Sequence, residues 1–378
     1  MKKNNGPSFG FFSFFTGAGF LDLGFEKAGF VSLFSNELVS DFCEVYNYSR
    51  KKLNIENPKY GLHQKTIECF LNSKEDRKFL KEKISEAKKE LDFVGFIGGP
   101  PCPDFSVAGK NKGADGSNGR LSKSYIELIC SQNPDFFIFE NVKGLWKTSE
   151  HRMFFNKLIE QVHKARYSTA YRVINAMEYG VPQDRERIIL IGIKHGASIK
   201  DKFEPEIKSF PWDRYIKYSM ESIKNMSWPI TTTFKENSQI EPPKNIIKEL
   251  TVQNWFEKNN VTNHSNSNDF FQPRAGFQKM KIYAEGDDSK KCYKRLHRWR
   301  YSPTAAYGNN EVHLHPYKAR RLSTAETLAI QSLPKEFELP TNISLTAKFK
   351  TIGNGVPYLA AYGIAQTLSL YLKTMRGF

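Results

Sequence analysis

The sequence predicts an α/β fold, an open sheet flanked by helices and interrupted by an irregular insert. Three observations carry that prediction. Short apolar runs rich in aromatic and β-branched residues end repeatedly in glycine, proline or acidic turns, as buried strands do. A glycine turn follows the first of these runs and leads straight into a helical pattern. From about residue 196 the periodicity fades, and it returns only in an apolar helical stretch from about 358 to 373.

Phe11 to Phe15 reads as the first strand. Thr16-Gly17-Ala18-Gly19-Phe20 is a tight turn entering a helix with apolar Phe20, Leu21, Leu23 and Phe25. A second strand, Phe30 to Phe34, runs on through Ser35 and Asn36 to Glu37, 20 residues beyond Gly17. A carboxylate at that separation is placed to accept hydrogen bonds from ribose hydroxyls. The turn lacks the third glycine that packs a pyrophosphate. It therefore suits an adenosine ligand without one, such as S-adenosylmethionine, better than NAD.

Residues 74–92 are charged and helix-prone, a surface helix without a site. Phe93 to Ile97 is the next buried strand, and Gly98-Gly99-Pro100-Pro101-Cys102-Pro103-Asp104-Phe105-Ser106 follows it. Three prolines restrict the backbone there and hold the Cys102 thiol in a set direction past a strand's carboxyl end, the edge where open α/β sheets bind ligands. The glycine-rich, basic segment 109–120 is a candidate lid. Phe136 to Phe139 is another strand, and Glu140 emerges from it at the same edge as Cys102. Gly180 to Gly192 is a turn leading into a strand whose start carries Arg185 and Arg187 in alternation, on one face. They could bind an anion or an oxygen-rich base, or pair with Asp184 and Glu186.

The chain carries 56 Lys+Arg against 40 Asp+Glu, a net +16. Residues 273–321 hold 12 of the basic residues and 4 of the acidic ones, half of the excess. A polyanion, most simply nucleic acid, is the favoured partner. Basic residues interleave with aromatics in Lys290-Lys291-Cys292-Tyr293-Lys294-Arg295-Leu296-His297-Arg298-Trp299-Arg300, which suits phosphate contacts with some stacking. Five scattered cysteines without a C-x-x-C pair favour neither a disulfide framework nor a metal site. No apolar span long enough for a membrane and no secretory pattern is found, so a reducing cytoplasmic setting is expected.

Taken in order, these residues resemble the DNA (cytosine-5)-methyltransferase family of bacterial or phage restriction-modification systems. Phe15-Thr16-Gly17-Ala18-Gly19 is similar to its cofactor motif, Gly99-Pro100-Pro101-Cys102 with Phe105-Ser106 to its nucleophile motif, Glu140-Asn141-Val142 to its glutamate motif, and Gln183-Asp184-Arg185-Glu186-Arg187 to its arginine motif. His315-Pro316 through Arg320 to Glu326, and Gly353-Asn354-Gly355-Val356-Pro357, resemble the last two. The blocks frame residues 8–195 and 311–365, and the unmatched segment between them stands where the family carries its target-recognition domain.

The resemblance implies a Rossmann-like, S-adenosylmethionine-dependent methyltransferase sheet. Residues 1–195 would form the catalytic and cofactor-binding domain, 196–340 an inserted target-recognition domain, and 341–378 a segment completing the first. It implies Cys102 as nucleophile, with Glu140, Arg185 and Arg187 around the target base. Phe15, Thr16, Gly17, Ala18, Gly19, Phe20, Glu37, Pro101, Asn354 and Val356 would hold S-adenosylmethionine and its product S-adenosylhomocysteine. Ser106, Lys110, Lys290, Lys291, Arg295, Arg298 and Arg300 would contact duplex DNA. A monomer without a metal is expected, with a separately encoded cognate endonuclease as partner. Two departures stand out: Pro103 occupies the place of the family's Gln after the nucleophile, and 63–67 offers no Asp for the adenine.

The chemistry explains the residue types on its own terms. Carbon 5 of cytosine becomes nucleophilic only after a thiolate adds to carbon 6, a covalent route that splits one hard step. In a stacked duplex carbon 6 is out of reach, so the base must flip out. An RNA cytosine-5 methyltransferase shares the chemistry and is the alternative; a nicotinamide oxidoreductase and a catalytically silent DNA-binding module fit the residues less well.

Overall fold

The computed structural model describes residues 7–101, 117–195, 203–273, 276–305, 307 and 311–375. Its centre is a seven-stranded sheet: β1 (Phe9–Phe14), β2 (Val31–Glu37), β3 (Leu62–Gln64), β4 (Phe93–Gly98), β5 (Phe136–Val142), β6 (Tyr167–Asn175) and β7 (Glu186–Lys194). The strand order is β3-β2-β1-β4-β5-β7-β6. The helices are α1 (Phe20–Lys27), α2 (Ser40–Lys52), α3 (Cys69–Asn72), α4 (Lys74–Glu90), α5 (Ser117–Gln132), α6 (Gly144–Lys147), α7 (Ser149–Lys164), α8 (Met220–Lys224), α9 (Val252–Lys258), α10 (Phe277–Ile282), α11 (Thr324–Ile330), α12 (Leu345–Asn354) and α13 (Tyr358–Met375).

Strands β1, β4 and β5 read as apolar runs because both faces are covered. Phe12 and Phe14 enter one core layer with Phe96, Phe137 and Phe139, under α3, α4, α5 and α7. Phe9 and Phe11 enter the other with Phe136, Ile138, Ile189 and Ile191, under α1 and α13. Along α13 small residues allow close packing: a Cβ on Gly24 of α1 would lie 2.5 Å from that of Ala361. The surface helix expected over 74–92 is α4, where the Ser73 hydroxyl caps the Asp76 N–H at 3.2 Å.

Sequence reading missed β3 and β6, and gave no direction for β7. β3 is three residues long and only half-buried, and β6 mixes buried and exposed positions without clean alternation. β7 runs antiparallel to both neighbours, because the short connection from β6, a 3₁₀ turn over Ala176–Tyr179, makes a hairpin and leaves no room for a crossover. The reversal has a functional consequence. The amino end of β7 lies at the same sheet edge as the carboxyl ends of the parallel strands. Order reverses between β1 and β4, which places the loops after them at the switch point where such sheets bind ligands.

The segment expected as an insert contains short helices and isolated bridges. Its apolar residues Val252, Trp255, Phe256, Leu296 and Val312 share a third core with Phe20 and Leu23 of α1 and Phe349 and Ile352 of α12. The 109–120 lid lies largely outside the described residues; its end, from Ser117, is the first turn of α5.

Candidate active site

A cavity of about 630 Å³ opens along that sheet edge and is lined by residues from the ends of β1, β2, β4 and β5, the start of β7 and the end of α12. At one end lies the glycine turn. Phe15 and Gly17 adopt the left-handed region, φ 54° and 57°, and the turn is tied to its neighbours. The Gly17 N–H donates to Glu37 Oε2 at 2.9 Å, and Leu38 and Val39 donate their N–H groups to Glu37 Oε1 at 2.8 and 2.9 Å. A carboxylate held by three amides is fixed in orientation while Oε2 keeps a lone pair for a hydroxyl. Phe15, Thr16, Gly17, Ala18, Phe20, Glu37, Pro101, Asn354 and Val356 all line the cavity. Gly19 does not; it stands behind the turn, where a Cβ would meet the Tyr46 ring at 2.7 Å. Apolar walls from Leu38, Val39, Phe42 and Ile67 beside one oriented carboxylate suit a purine nucleoside. Thr66, from the segment that lacks an acid, lines the same wall.

At the other end Glu140 and Arg187 meet. Glu140 pairs across to Ile189 and Arg187 to Val142, so both side chains leave the same face two positions apart. Arg187 Nε lies 3.0 Å from Glu140 Oε1, with the two side chains only 15% and 10% exposed. Burial pushes the Glu140 carboxyl above its ordinary value, and the charges of Arg187 and Arg185 pull it back only in part. Gly99 leaves room for it: a Cβ there would lie 2.6 Å from Glu140 Oε2 and would displace the carboxylate. Asn141 Nδ2 donates to the Pro100 carbonyl at 3.4 Å. The backbone is thereby led to Pro101 at the cavity wall. Cys102, Ser106 and Lys110 lie outside the described residues.

Arg185 has a different occupation from Arg187. Its side chain is buried and its Nη2 donates to the carbonyls of Gly353 and Gly355 at 2.9 and 3.1 Å, while Nη1 reaches the Ala305 carbonyl at 3.5 Å. Burial and the neighbouring Arg187 push its guanidinium well below the usual range. It braces the Gly353–Val356 segment against the sheet, and Gly355 in turn sits on the Phe20 ring, where a Cβ would be 2.1 Å away.

The expected phosphate contacts need correction. Arg295 is fully buried: Nε donates to the Tyr283 carbonyl at 2.9 Å, the Nη groups take the carbonyls of Met280, His315 and Lys318, and the guanidinium stacks on Phe234. Arg298 is buried as well and pairs with Glu285 at 2.8 Å. Both are interior braces, and neither reaches a surface where a phosphate could sit. Lys290 and Lys291 are exposed, the latter 3.3 Å from Glu311. Arg300 is half-buried against Tyr301.

Sequence reading also missed Asp22, which is fully buried beneath the glycine turn. Its only signal was a helix-start acid after Thr16, indistinguishable in one sequence from an ordinary helix-capping charge.

The chain matches the family model for C-5 cytosine-specific DNA methylase over residues 9–369. It is 56% identical over 363 residues to the Type II methyltransferase M.NmeDI of Neisseria meningitidis serogroup C, covering 96% of this chain and 84% of that protein. To M.FnuDI of Fusobacterium nucleatum it is 28% identical, covering 94% and 93%. Among solved structures it superposes on a prophage-encoded DNA modification methyltransferase from E. coli with a TM-score of 0.63 at 21% identity, covering 97% and 100%. The S. pombe Dnmt2 methyltransferase gives 0.56 at 11% identity, covering 97% and 99%. At those identities the two structures establish the fold alone; the family model and the Neisseria relative establish more, and on them the chain belongs to the C-5 cytosine-specific DNA methylase family.

Proposed function

We propose that this DNA (cytosine-5) methyltransferase acts on a flipped-out cytosine within a specific duplex sequence, through a covalent adduct with Cys102. S-adenosylmethionine, the family's cofactor, supplies an electrophilic methyl group. The glycine turn and Glu37 fit its adenosine portion, with Phe20, Asn354 and Val356 on the facing wall. The buried Glu140–Arg187 pair at the far end of the same cavity carries the reading.

The Cys102 thiolate adds to carbon 6 of the ring and forms a carbon–sulfur bond, which leaves carbon 5 nucleophilic. Negative charge would otherwise build on the ring. A carboxyl pushed up by burial is suited to hold or donate a proton at ring N3. Arg187, oriented by Glu140, is suited to the oxygen on carbon 2. Methyl transfer to carbon 5 would leave S-adenosylhomocysteine; a base then takes the carbon 5 proton, the C–H electrons form the C5–C6 double bond, and the C6–S bond breaks to release the Cys102 thiolate and the aromatic ring. Arg185 acts behind these groups by holding the Gly353–Val356 wall.

Residues 196–340 would select the DNA sequence. Exposed Lys290 and Lys291 would supply phosphate contacts that position the duplex without reading it. The Type II names of the relatives support pairing with a separate endonuclease, and a monomer suffices for a site built within one chain. No helix among the described residues is long and apolar enough to cross a membrane. Duplex DNA carrying 5-fluorocytosine tests the mechanism, because fluorine cannot leave carbon 5 as a proton does. With S-adenosylmethionine the wild-type protein should form a denaturant-resistant complex on a gel and Cys102→Ser should not; an adduct with Cys102→Ser, or none with wild type, would refute the Cys102 route. Competition with tRNA separates the RNA-directed alternative.

A further inference from the structure

Among the described residues Asp22 is a carboxylate that collects four hydroxyl contacts at full burial. Ser13 at the end of β1 donates to Oδ1 at 2.6 Å. Thr16 of the glycine turn donates to Oδ2 at 2.7 Å, Ser35 near the end of β2 at 3.1 Å and Tyr46 of α2 at 3.2 Å. Ser35 and Tyr46 are themselves 2.9 Å apart, and the Tyr46 ring lies under Gly19. Nothing about core packing calls for such a group, since a buried charge is costly and an apolar side chain would fill the space. Burial raises the Asp22 carboxyl above its ordinary value, and the hydroxyls and the Arg50 charge pull it back only in part; Arg50 itself is committed to Glu26 at 2.7 and 2.9 Å.

What the hub does join is informative. Thr16 is held from below by Asp22, and Gly17, the next residue, is held from the side by Glu37 at 2.9 Å. The Thr16 N–H donates to the Asn36 carbonyl at 3.1 Å, and Gly19 donates to the Thr16 carbonyl at 2.8 Å. Through Ser35 the same carboxylate grips the strand that delivers Glu37 two residues later. Phe15 has a left-handed backbone, unfavourable for a bulky residue, and keeps it only while its neighbours are fixed.

We propose that Asp22 is a positioning residue for the cofactor: it sets the distance between the glycine turn and the Glu37 carboxylate, so that S-adenosylmethionine meets both without reordering the turn. The proposal rests on the reading of this cavity as the S-adenosylmethionine site. Calorimetric titration of the protein with S-adenosylmethionine, beside steady-state kinetics, tests it. Asp22→Asn keeps the volume but replaces one acceptor oxygen with an N–H donor that cannot accept from the hydroxyls facing it; Kd and KM for S-adenosylmethionine should rise roughly tenfold, with kcat at saturation and DNA affinity near wild type. A residue serving stability alone would not split KM from kcat in this way. Ser35 gives a second arm should Asp22→Asn fold poorly: Ser35 is outside the cavity lining, and Ser35→Ala, which frees the carboxylate from the strand that delivers Glu37, should raise Kd in the same direction by a smaller factor. In the Asp22→Asn background Ser35→Ala should add little, because both remove one interaction. Wild-type binding by Asp22→Asn, or by Ser35→Ala, overturns the hub's role while leaving the cavity's reading intact. No binding by the wild-type protein overturns both.

Discussion

Arg187 at the sheet edge and the arginines of the basic stretch 290–300 are used in different ways. Arg187 pairs with Glu140, gives one bond to the Glu186 carbonyl and lines a cavity, while Arg185 beside it braces the wall. In the stretch, Arg295 and Arg298 are turned inward and spend their donors on carbonyls and on Glu285. The difference follows from secondary structure. Strands satisfy their own backbone, so their charged residues are available for chemistry at the strand ends. An irregular segment leaves carbonyls unpaired in its interior, and a buried guanidinium with its five donors is one of the few groups that can satisfy several of them together. Local net charge is therefore a poor guide to surface charge where regular structure is sparse.

The contrast can be broken first at the edge. Glu140→Gln should lower kcat by about 10²- to 10⁴-fold, the usual range for losing a positioned proton donor, with little change in melting temperature; a loss of stability matching the loss of rate would make Glu140 a structural residue. Arg298→Met should do the reverse. It strands the Glu285 carboxylate in the interior and should cost about 3–5 kcal/mol of stability, measured by urea unfolding. A variant of unchanged stability with weakened DNA binding would return Arg298 to the surface role.

How much was legible from sequence follows the same division. Strands β1, β2, β4 and β5 were readable because both faces are buried, and the residues at their ends, Thr16, Glu37 and Glu140, followed from them. β3 and β6 were not, being short or half-exposed. Arg185 and Arg187 both line the cavity, yet alternation along a strand, which reads them as alike, could not reveal that Arg185 faces carbonyls 168 and 170 residues away. Asp22 was invisible because its partners come from four separate elements. Residue type located the chemistry; long-range contacts decided which charges serve the fold.

Two smaller effects sharpen the comparison within residues 196–340. His313 is buried, and burial holds its imidazole down to about 3. It stays neutral in the folded chain while the unfolded chain takes up a proton near the ordinary histidine value. Its contribution is thus complete above about pH 6.5 and is lost as pH falls towards 3, up to about 2 kcal/mol by pH 5. Urea midpoints from pH 7 to pH 5 should fall less for His313→Gln than for wild type; parallel curves would contradict it. Replacing exposed Lys290 and Lys291 with Gln should lower the salt slope of DNA binding by up to roughly 0.9 for each phosphate that is no longer neutralised, with stability unchanged. An unaltered slope would remove both from the interface.

On the proposed division of labour, the sheet edge methylates carbon 5 of cytosine while the insert chooses where. Sequencing of 5-methylcytosine at single-base resolution, on duplex DNA treated with wild type, Glu140→Gln and the Lys290/Lys291 double variant, tests it most directly. Methylation should fall on one cytosine within one recurring short sequence, nearly vanish with Glu140→Gln, and persist at the same sequence, with weaker salt tolerance, in the double lysine variant. Methylation scattered over unrelated cytosines by the wild-type protein, or moved to a new sequence by Glu140→Gln, would contradict that division.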